Sequence, residues 1–161
     1  MKKVDPVEEE RQRFLADLGV PEQKTFVVDE FQSAAISSVA SGKDTLVVAP
    51  TGAGKTFIAT EAMRAMMDLK LRAVYTTPLK ALSNTKYSEF KAMFEPAFKV
   101  GLLTGDRKID TEAQIVVATT EIYRNEMYRN AESYSLAVLD EVHFIADPQR
   151  GPVWEESIIL T

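Results

Sequence analysis

The sequence predicts an α/β fold in which a mostly parallel sheet carries helices on both faces. From Thr45 onward, short apolar runs rich in β-branched residues alternate with longer amphipathic stretches, the pattern of repeated strand–helix–strand units. The short runs are apolar almost throughout, as strands are when both faces of a parallel sheet are buried. A chain of 161 residues can form one such domain with a substantial core, but not two. We therefore predict a single doubly wound domain.

The predicted elements follow in order along the chain. Residues 1–24 are expected to form a helical extension, since Asp5 followed by Pro6 is typical of a helix start. The α/β domain then covers residues 25–161. Its helices are predicted over residues 30–41, 56–70, 79–94 and 152–161, and the third of them should bury Leu82, Phe90 and Met93. Its strands are predicted over residues 45–49, 73–76, 100–103, 115–118 and 137–139.

Composition narrows the possible functions. There is no cysteine and His143 is the single histidine, so the chain has neither a disulfide framework nor a histidine–cysteine zinc site. The apolar runs are too short to span a bilayer and the first residues do not resemble a signal peptide, so we expect a cytoplasmic protein without membrane association. The formal charge of −5 argues against a general attraction to nucleic acid. A nucleic-acid function therefore has to be argued from motifs.

A phosphate-binding loop is predicted between the first strand and the helix that follows it. The segment from Ala49 to Thr56 reads APTGAGKT, and glycines in this context let backbone N–H groups turn toward phosphates at a helix N-terminus. Lys55 is expected to bridge the β- and γ-phosphates of ATP, and the Thr56 hydroxyl to bind Mg²⁺. The remaining predicted loop contacts are Thr51, Gly52, Ala53 and Gly54. The alternative is an ordinary glycine-rich turn.

A second element of the predicted site is the run LAVLDEVH, which ends at His143. Its apolar strand delivers two carboxylates at the carboxyl edge, where open α/β sheets bind ligands. Asp140 is expected to hold Mg²⁺, and Glu141 to orient the attacking water. The alternative is a solvated strand end with His143 as a turn residue.

Three further segments follow predicted strands and present hydroxyls, a helix N-terminus or a glycine amide at the same edge. Such groups suit contacts to phosphates that position a nucleic-acid strand without reading its sequence. Taken singly, each segment also fits a helix cap or a turn. The candidate nucleic-acid residues are Pro78, Leu79, Lys80, Gly105, Asp106, Thr119, Thr120 and Glu121.

In this order, the motifs resemble those of superfamily 2 helicases. The run DEVH followed by FIADPQRGPVWEE resembles the superkiller-like branch of DExH-box helicases, and the resemblance covers about residues 26–161. Phe26 and Gln32 resemble the Q motif, in which a glutamine amide pairs with adenine. Gln32 also lies three residues after Asp29, so it could instead complete a helix capping box. His143 resembles the histidine that couples ATP state to a second motor domain.

The resemblance implies a RecA-like first motor domain that binds ATP and Mg²⁺, with RNA favoured over DNA and a monomeric state. It also implies a second RecA-like domain whose arginine contributes on the order of a thousandfold to hydrolysis in related enzymes. Residues 1–161 alone are therefore expected to bind Mg²⁺·ATP weakly and to hydrolyse it slowly. Two alternatives remain open: a translocase on duplex DNA, and a nucleotide-binding module without catalysis.

Overall fold

The computed structural model describes residues 27–161, so the predicted N-terminal helix and Phe26 lie outside the described residues. The helices are α1 (Glu30–Ala40), α2 (Lys55–Asp68), α3 (Lys80–Phe94), α4 (Thr120–Arg129) and α5 (Gly151–Leu160), with a short 3-10 helix at Val142–Ala146. The strands are β1 (Ala73–Thr77), β2 (Val100–Leu103), β3 (Lys108–Ile109), β4 (Ile115–Thr119) and β5 (Leu136–Leu139).

The strands form one sheet in the order β3-β2-β4-β1-β5, in which only the pairing of β3 with β2 is antiparallel. Helices cover both faces, because successive strand residues point to opposite sides. Tyr75 and Val117 pack with α2 and α3, whereas Val74 and Val116 pack with Tyr123 of α4 on the other side. The predicted doubly wound, mostly parallel fold is confirmed.

The strand predicted over residues 45–49 is wrong for the described structure. This segment contains no assigned strand, and its apolar side chains Leu46 and Val48 are 76% and 86% exposed. A strand obtains its backbone hydrogen bonds from a neighbouring strand. The described sheet ends at β5, and residues 45–49 pair with none of its members. The apolar composition alone therefore did not make this segment a strand.

The buried face of α3 also differs from the predicted one. Phe90 is fully buried as expected, but Leu82 and Met93 are 39% and 46% exposed. The face that packs on the sheet instead carries Ser83 and Phe94. Ser83 belongs there because its hydroxyl lies 2.8 Å from the Thr77 hydroxyl at the end of β1. This polar contact rotates the helix away from the purely apolar stripe.

Within residues 27–161, the helices are either too short or too polar to cross a membrane.

Candidate nucleotide site and nucleic-acid interface

The glycine-rich loop that leads into α2 has the backbone that a phosphate-binding turn needs. Gly52 and Gly54 have φ of 83° and 80°, a left-handed conformation that costs other residues free energy. Gly54 is also the N-cap of α2. The half-buried Lys55 donates from Nζ to the carbonyls of Ala49 and Pro50, at 2.8 and 2.9 Å. Its ammonium group is thus folded back over the loop and is bound to neutral oxygens.

The topology brings this loop to the carboxyl edge of the sheet. Helix α2 packs against β1 and β5, and a short turn joins its C-terminal end to the start of β1. A helix of 14 residues rises about 21 Å, enough to run back along a strand of five residues. Its N-terminus, with Lys55 and Thr56, therefore lies toward the edge where β5 delivers Asp140.

Asp140 follows β5 and is held from two sides. The Tyr75 hydroxyl donates to its Oδ2 at 2.5 Å, and the backbone N–H of Glu141 donates to its Oδ1 at 3.0 Å. Burial first, and then the negative charge of Asp140, hold the pKa of the Tyr75 phenol well above its ordinary value. The phenol consequently stays protonated and fixes the orientation of the carboxylate. Each carboxylate oxygen keeps a lone pair for a further ligand.

Glu141 has a strained backbone. Its φ of 60° places a residue other than glycine in the left-handed region, a conformation that is typical of functional sites. Its side chain is 46% exposed, and Oε2 lies 3.2 Å from Nδ1 of His143. His143 is 71% exposed and stands on the 3-10 helix with its ring beside that of Phe144. The carboxylate therefore faces solvent, with an imidazole as its neighbour.

Gln32 is 2% exposed and connects α1 to the phosphate loop. Its Oε1 accepts the Asp29 N–H at 3.0 Å and completes a capping box. Its Nε2 donates to the Ala53 carbonyl, also at 3.0 Å. A Cβ on Gly54 would lie 2.4 Å from this Nε2. The capping alternative for Gln32 is thus present in the structure, and the same amide supports the loop.

Most of the candidate nucleic-acid residues line one surface cavity, although they come from three separate segments of the chain. The candidates in its lining are Pro78, Leu79, Lys80, Gly105, Thr119 and Glu121. Asp106 lies next to the cavity and pairs with Lys80 at 3.2 Å. Thr120, in contrast, is buried and donates from its hydroxyl to the Thr77 carbonyl at 3.2 Å. Its side chain therefore braces β4 against β1.

Two residues near these sites are not among those predicted from the sequence. Tyr75 lies in an apolar strand and looked like a core residue, yet its hydroxyl reaches Asp140. Arg150 lies in the run FIADPQRGPVWEE but was not among the candidate site residues, yet it lines the cavity. The contact of Tyr75 with Asp140 follows from the strand register, which pairs Tyr75 with Val138, two residues before Asp140. The position of Arg150 follows from tertiary packing, which the sequence pattern did not reveal.

The fold and the two motifs at the sheet edge define a P-loop NTPase domain of the RecA-like class. The family model for the DEAD/DEAH box helicases matches residues 25–161. The chain belongs to this family.

Curated relatives agree with this assignment. The probable helicase HelY of Mycobacterium leprae is 45% identical over 152 residues, covering 91% of this chain and 16% of the relative. The chloroplastic DExH-box ATP-dependent RNA helicase DExH15 of Arabidopsis thaliana is 46% identical, covering 83% and 12%. The exosome RNA helicase MTR4 of Mus musculus is 44% identical, covering 84% and 13%. The chain thus spans between 12 and 16% of the length of these relatives.

A solved structure supports the fold. A hypothetical ATP-dependent RNA helicase from Sulfolobus tokodaii superposes with a TM-score of 0.67 at 21% identity, covering 95% of this chain and 47% of that one.

Proposed function

We propose that this chain is the ATP-binding motor domain of an ATP-dependent helicase that acts on RNA. The observation that supports the proposal is the packing of α2 against β1 and β5, which directs the loop at its N-terminus toward the sheet edge where β5 ends. The loop with Lys55 and Thr56 begins α2, and Asp140 and Glu141 follow β5, against which α2 packs. RNA is favoured because two of the relatives are named as RNA helicases. The shared cavity of the candidate strand-binding residues supports a nucleic-acid ligand in general.

The phosphate end of the nucleotide would be held by the loop. Among the described residues, Lys55 is bound to the backbone carbonyls of Ala49 and Pro50, at 2.8 and 2.9 Å, so it can exchange these neutral acceptors for phosphate oxygens. Such charge-assisted hydrogen bonds are roughly twice as strong as neutral ones. The backbone N–H groups of Gly54, Lys55 and Thr56, at the N-terminus of α2, add further donors. Gln32 keeps this loop in place through the Ala53 carbonyl, and its contact with adenine, together with that of Phe26, stays a prediction.

The Thr56 hydroxyl and Asp140 would hold Mg²⁺. One hydroxyl and one carboxylate are a suitable protein contribution, since Mg²⁺ is usually bound by one or two carboxylates together with phosphate oxygens and water. Once bound, the ion neutralises charge on the phosphates. Tyr75 keeps Asp140 oriented for this role.

Glu141 is the acceptor we assign to the attacking water. Its partly exposed carboxylate can accept a proton or a hydrogen bond from water. The strained backbone that holds it is typical of functional sites. His143 can hold this carboxylate from the other side, at 3.2 Å. A shift of the 3-10 helix would therefore move His143 and, through it, the Glu141 carboxylate. This is consistent with a role of His143 in coupling to a second motor domain.

The proposal is tested by nucleotide binding with Lys55→Ala. Replacement removes the charge-assisted contact, so we expect Mg²⁺·ATP affinity to fall by at least tenfold, equivalent to about 1.4 kcal/mol. The matched control is Lys91→Ala, because Lys91 lies in the last turn of α3, toward the opposite edge of the sheet. Affinity within twofold of wild type for Lys55→Ala would refute the nucleotide site.

The nucleic-acid part is tested separately by comparing single-stranded RNA with duplex DNA. We expect the chain to bind oligouridine more tightly than a DNA duplex at low salt. Preference for the duplex would favour the translocase alternative instead.

A further inference from the structure

We propose that Arg150 is a phosphate-binding residue of the nucleic-acid interface. The inference rests on the proposed function and adds to its cavity a residue that is not among the candidate nucleic-acid residues. Arg150 lines the same cavity as Lys80, which follows β1, and Thr119, which ends β4. Arg150 lies in the segment after β5, so this segment also contributes a residue to the surface that the ends of neighbouring strands form.

The Arg150 guanidinium is available for a ligand. Within residues 27–161 it forms no ion pair and donates no hydrogen bond, whereas the neighbouring Lys80 is already paired with Asp106 at 3.2 Å. An arginine carries five N–H donors in a planar fork that matches two phosphate oxygens. The half-buried Arg150 thus brings positive charge to the cavity, and no described carboxylate lies within ion-pair distance of its guanidinium, although its charge acts on the nearby Asp147 carboxylate.

The side chain is also held in place. Its guanidinium lies over the Phe144 ring, 5.2 Å from the ring centre. This contact restricts the side chain, and the guanidinium N–H groups that do not face the ring can donate to a ligand. A restricted arginine loses less conformational entropy when it binds a phosphate.

The backbone before α5 is fixed as well. Oδ1 of Asp147 accepts the N–H groups of Gln149 and Arg150 at 2.8 and 3.0 Å. The next residue, Gly151, approaches the Ile145 carbonyl so closely that a Cβ would lie 2.5 Å from the oxygen. The turn that precedes α5 is therefore built tightly, and it presents Arg150 to the cavity rather than to open solvent.

The ligand that fits this arrangement is the phosphodiester of a single strand. The cavity contains threonine, glycine and lysine groups suited to phosphates, and Ile122 gives it an apolar wall. Such contacts position a strand without selecting its sequence. The carboxylate of Glu121 in the same lining would disfavour a free, fully charged phosphate ion and can accept a hydrogen bond from a ribose hydroxyl.

The test measures binding of fluorescein-labelled oligouridine to the full 161-residue chain by anisotropy over a series of KCl concentrations. For Arg150→Gln we expect about tenfold weaker binding at low salt, the effect of losing a charge-assisted contact. The slope of log K against log [KCl] should become shallower by about 0.7, the value for one phosphate contact on a single strand. Arg150→Lys should keep most of the slope, since it retains the charge.

The matched control is Arg129→Gln. Arg129 is an exposed arginine of α4, is paired with Glu126 and lies outside the cavity. We expect its oligouridine affinity and salt slope to equal those of wild type. Inorganic phosphate at the same concentration should not displace the RNA, and displacement at equal concentration would instead make the site one for free phosphate.

Two outcomes would overturn the inference in distinguishable ways. Wild-type affinity and slope in Arg150→Gln, with RNA binding by the wild-type chain intact, would remove Arg150 from the interface and leave the proposed function standing. A wild-type chain that does not bind oligouridine even at low salt would refute the RNA part of the proposed function and this inference together. Circular dichroism melting of each variant identifies any loss of binding that comes from unfolding.

Discussion

The phenol of Tyr75 offers a sharp test of the proposed site, because it contacts Asp140, the carboxylate assigned to Mg²⁺. In Tyr75→Phe the ring and its edge-to-face contact with Phe90, with centroids 4.9 Å apart, are retained. Only the hydroxyl that donates to Asp140 Oδ2 is lost. The side chain is 1% exposed, so bulk water cannot easily replace this donor.

The size of the effect follows from this geometry. A hydrogen bond to a charged group contributes about 1.5–3 kcal/mol. Loss of a residue that orients a metal ligand typically weakens metal affinity about 10- to 100-fold, which corresponds to the same range of free energy. We therefore expect the Kd of a fluorescent ATP analogue, titrated in the presence of Mg²⁺, to rise by about tenfold or more.

The control for this experiment is Tyr123→Phe. Tyr123 is equally buried, and its hydroxyl lies 2.8 Å from the Thr161 hydroxyl, but it packs on the opposite face of the sheet. Tyr123→Phe should bind the analogue as wild type does. If Tyr75→Phe binds within twofold of wild type, Asp140 does not depend on the phenol and the assigned positioning role is wrong.

Three further predictions concern stability. Gly52→Ala should cost about 1–2 kcal/mol of unfolding free energy from backbone strain alone, and Gly54→Ala about 1 kcal/mol more, because its Cβ would displace Gln32 from Ala53; equal urea midpoints would contradict this. Trp154→Ala, at a side chain 1% exposed, should lose about 3–5 kcal/mol in the same assay, and a loss below about 1 kcal/mol would show that α5 is loosely packed. Burial raises the pKa of Tyr75, so above about pH 10 the unfolded chain loses that proton before the folded chain does, and the free energy of unfolding falls as the pH rises. In Tyr75→Phe this fall should be smaller by up to about 1.4 kcal/mol per pH unit. An equal fall in the variant and in wild type would contradict the raised pKa.

Much of the fold could be predicted because its central strands β1, β2 and β4 are buried on both faces and β5 is apolar throughout. The apolar, β-branched runs predict β1, β2, β4 and β5, and each predicted end lies within one residue of the observed one. The strand β3 could not be predicted, since Lys108–Ile109 is only two residues long and only Ile109 of the two is partly buried. It exists because the turn closed by the Thr104 N–H and the Arg107 carbonyl, at 2.8 Å, returns the chain to β2.

Predictions about the site depended on whether function lies in local sequence or in packing. Lys55 and Asp140 stand in motifs whose chemistry is set by adjacent residues, so they could be proposed before the structure. The dual use of Gln32, by contrast, depends on the distance between α1 and the Ala53 carbonyl. The burial of Thr120 depends on the register that places β4 beside β1. Neither is encoded in a short pattern.

The central claim is that the phosphate loop and the acidic end of β5 bind one Mg²⁺-bound triphosphate. The Mg²⁺ dependence of ATP affinity tests this claim most directly. ATP affinity is measured with Mg²⁺ and with a chelator, for wild type and for Asp140→Asn. We predict that Mg²⁺ tightens ATP binding in wild type and that Asp140→Asn abolishes most of this gain while its affinity without metal stays unchanged. An Asp140→Asn chain that keeps the full Mg²⁺-dependent gain would contradict the account.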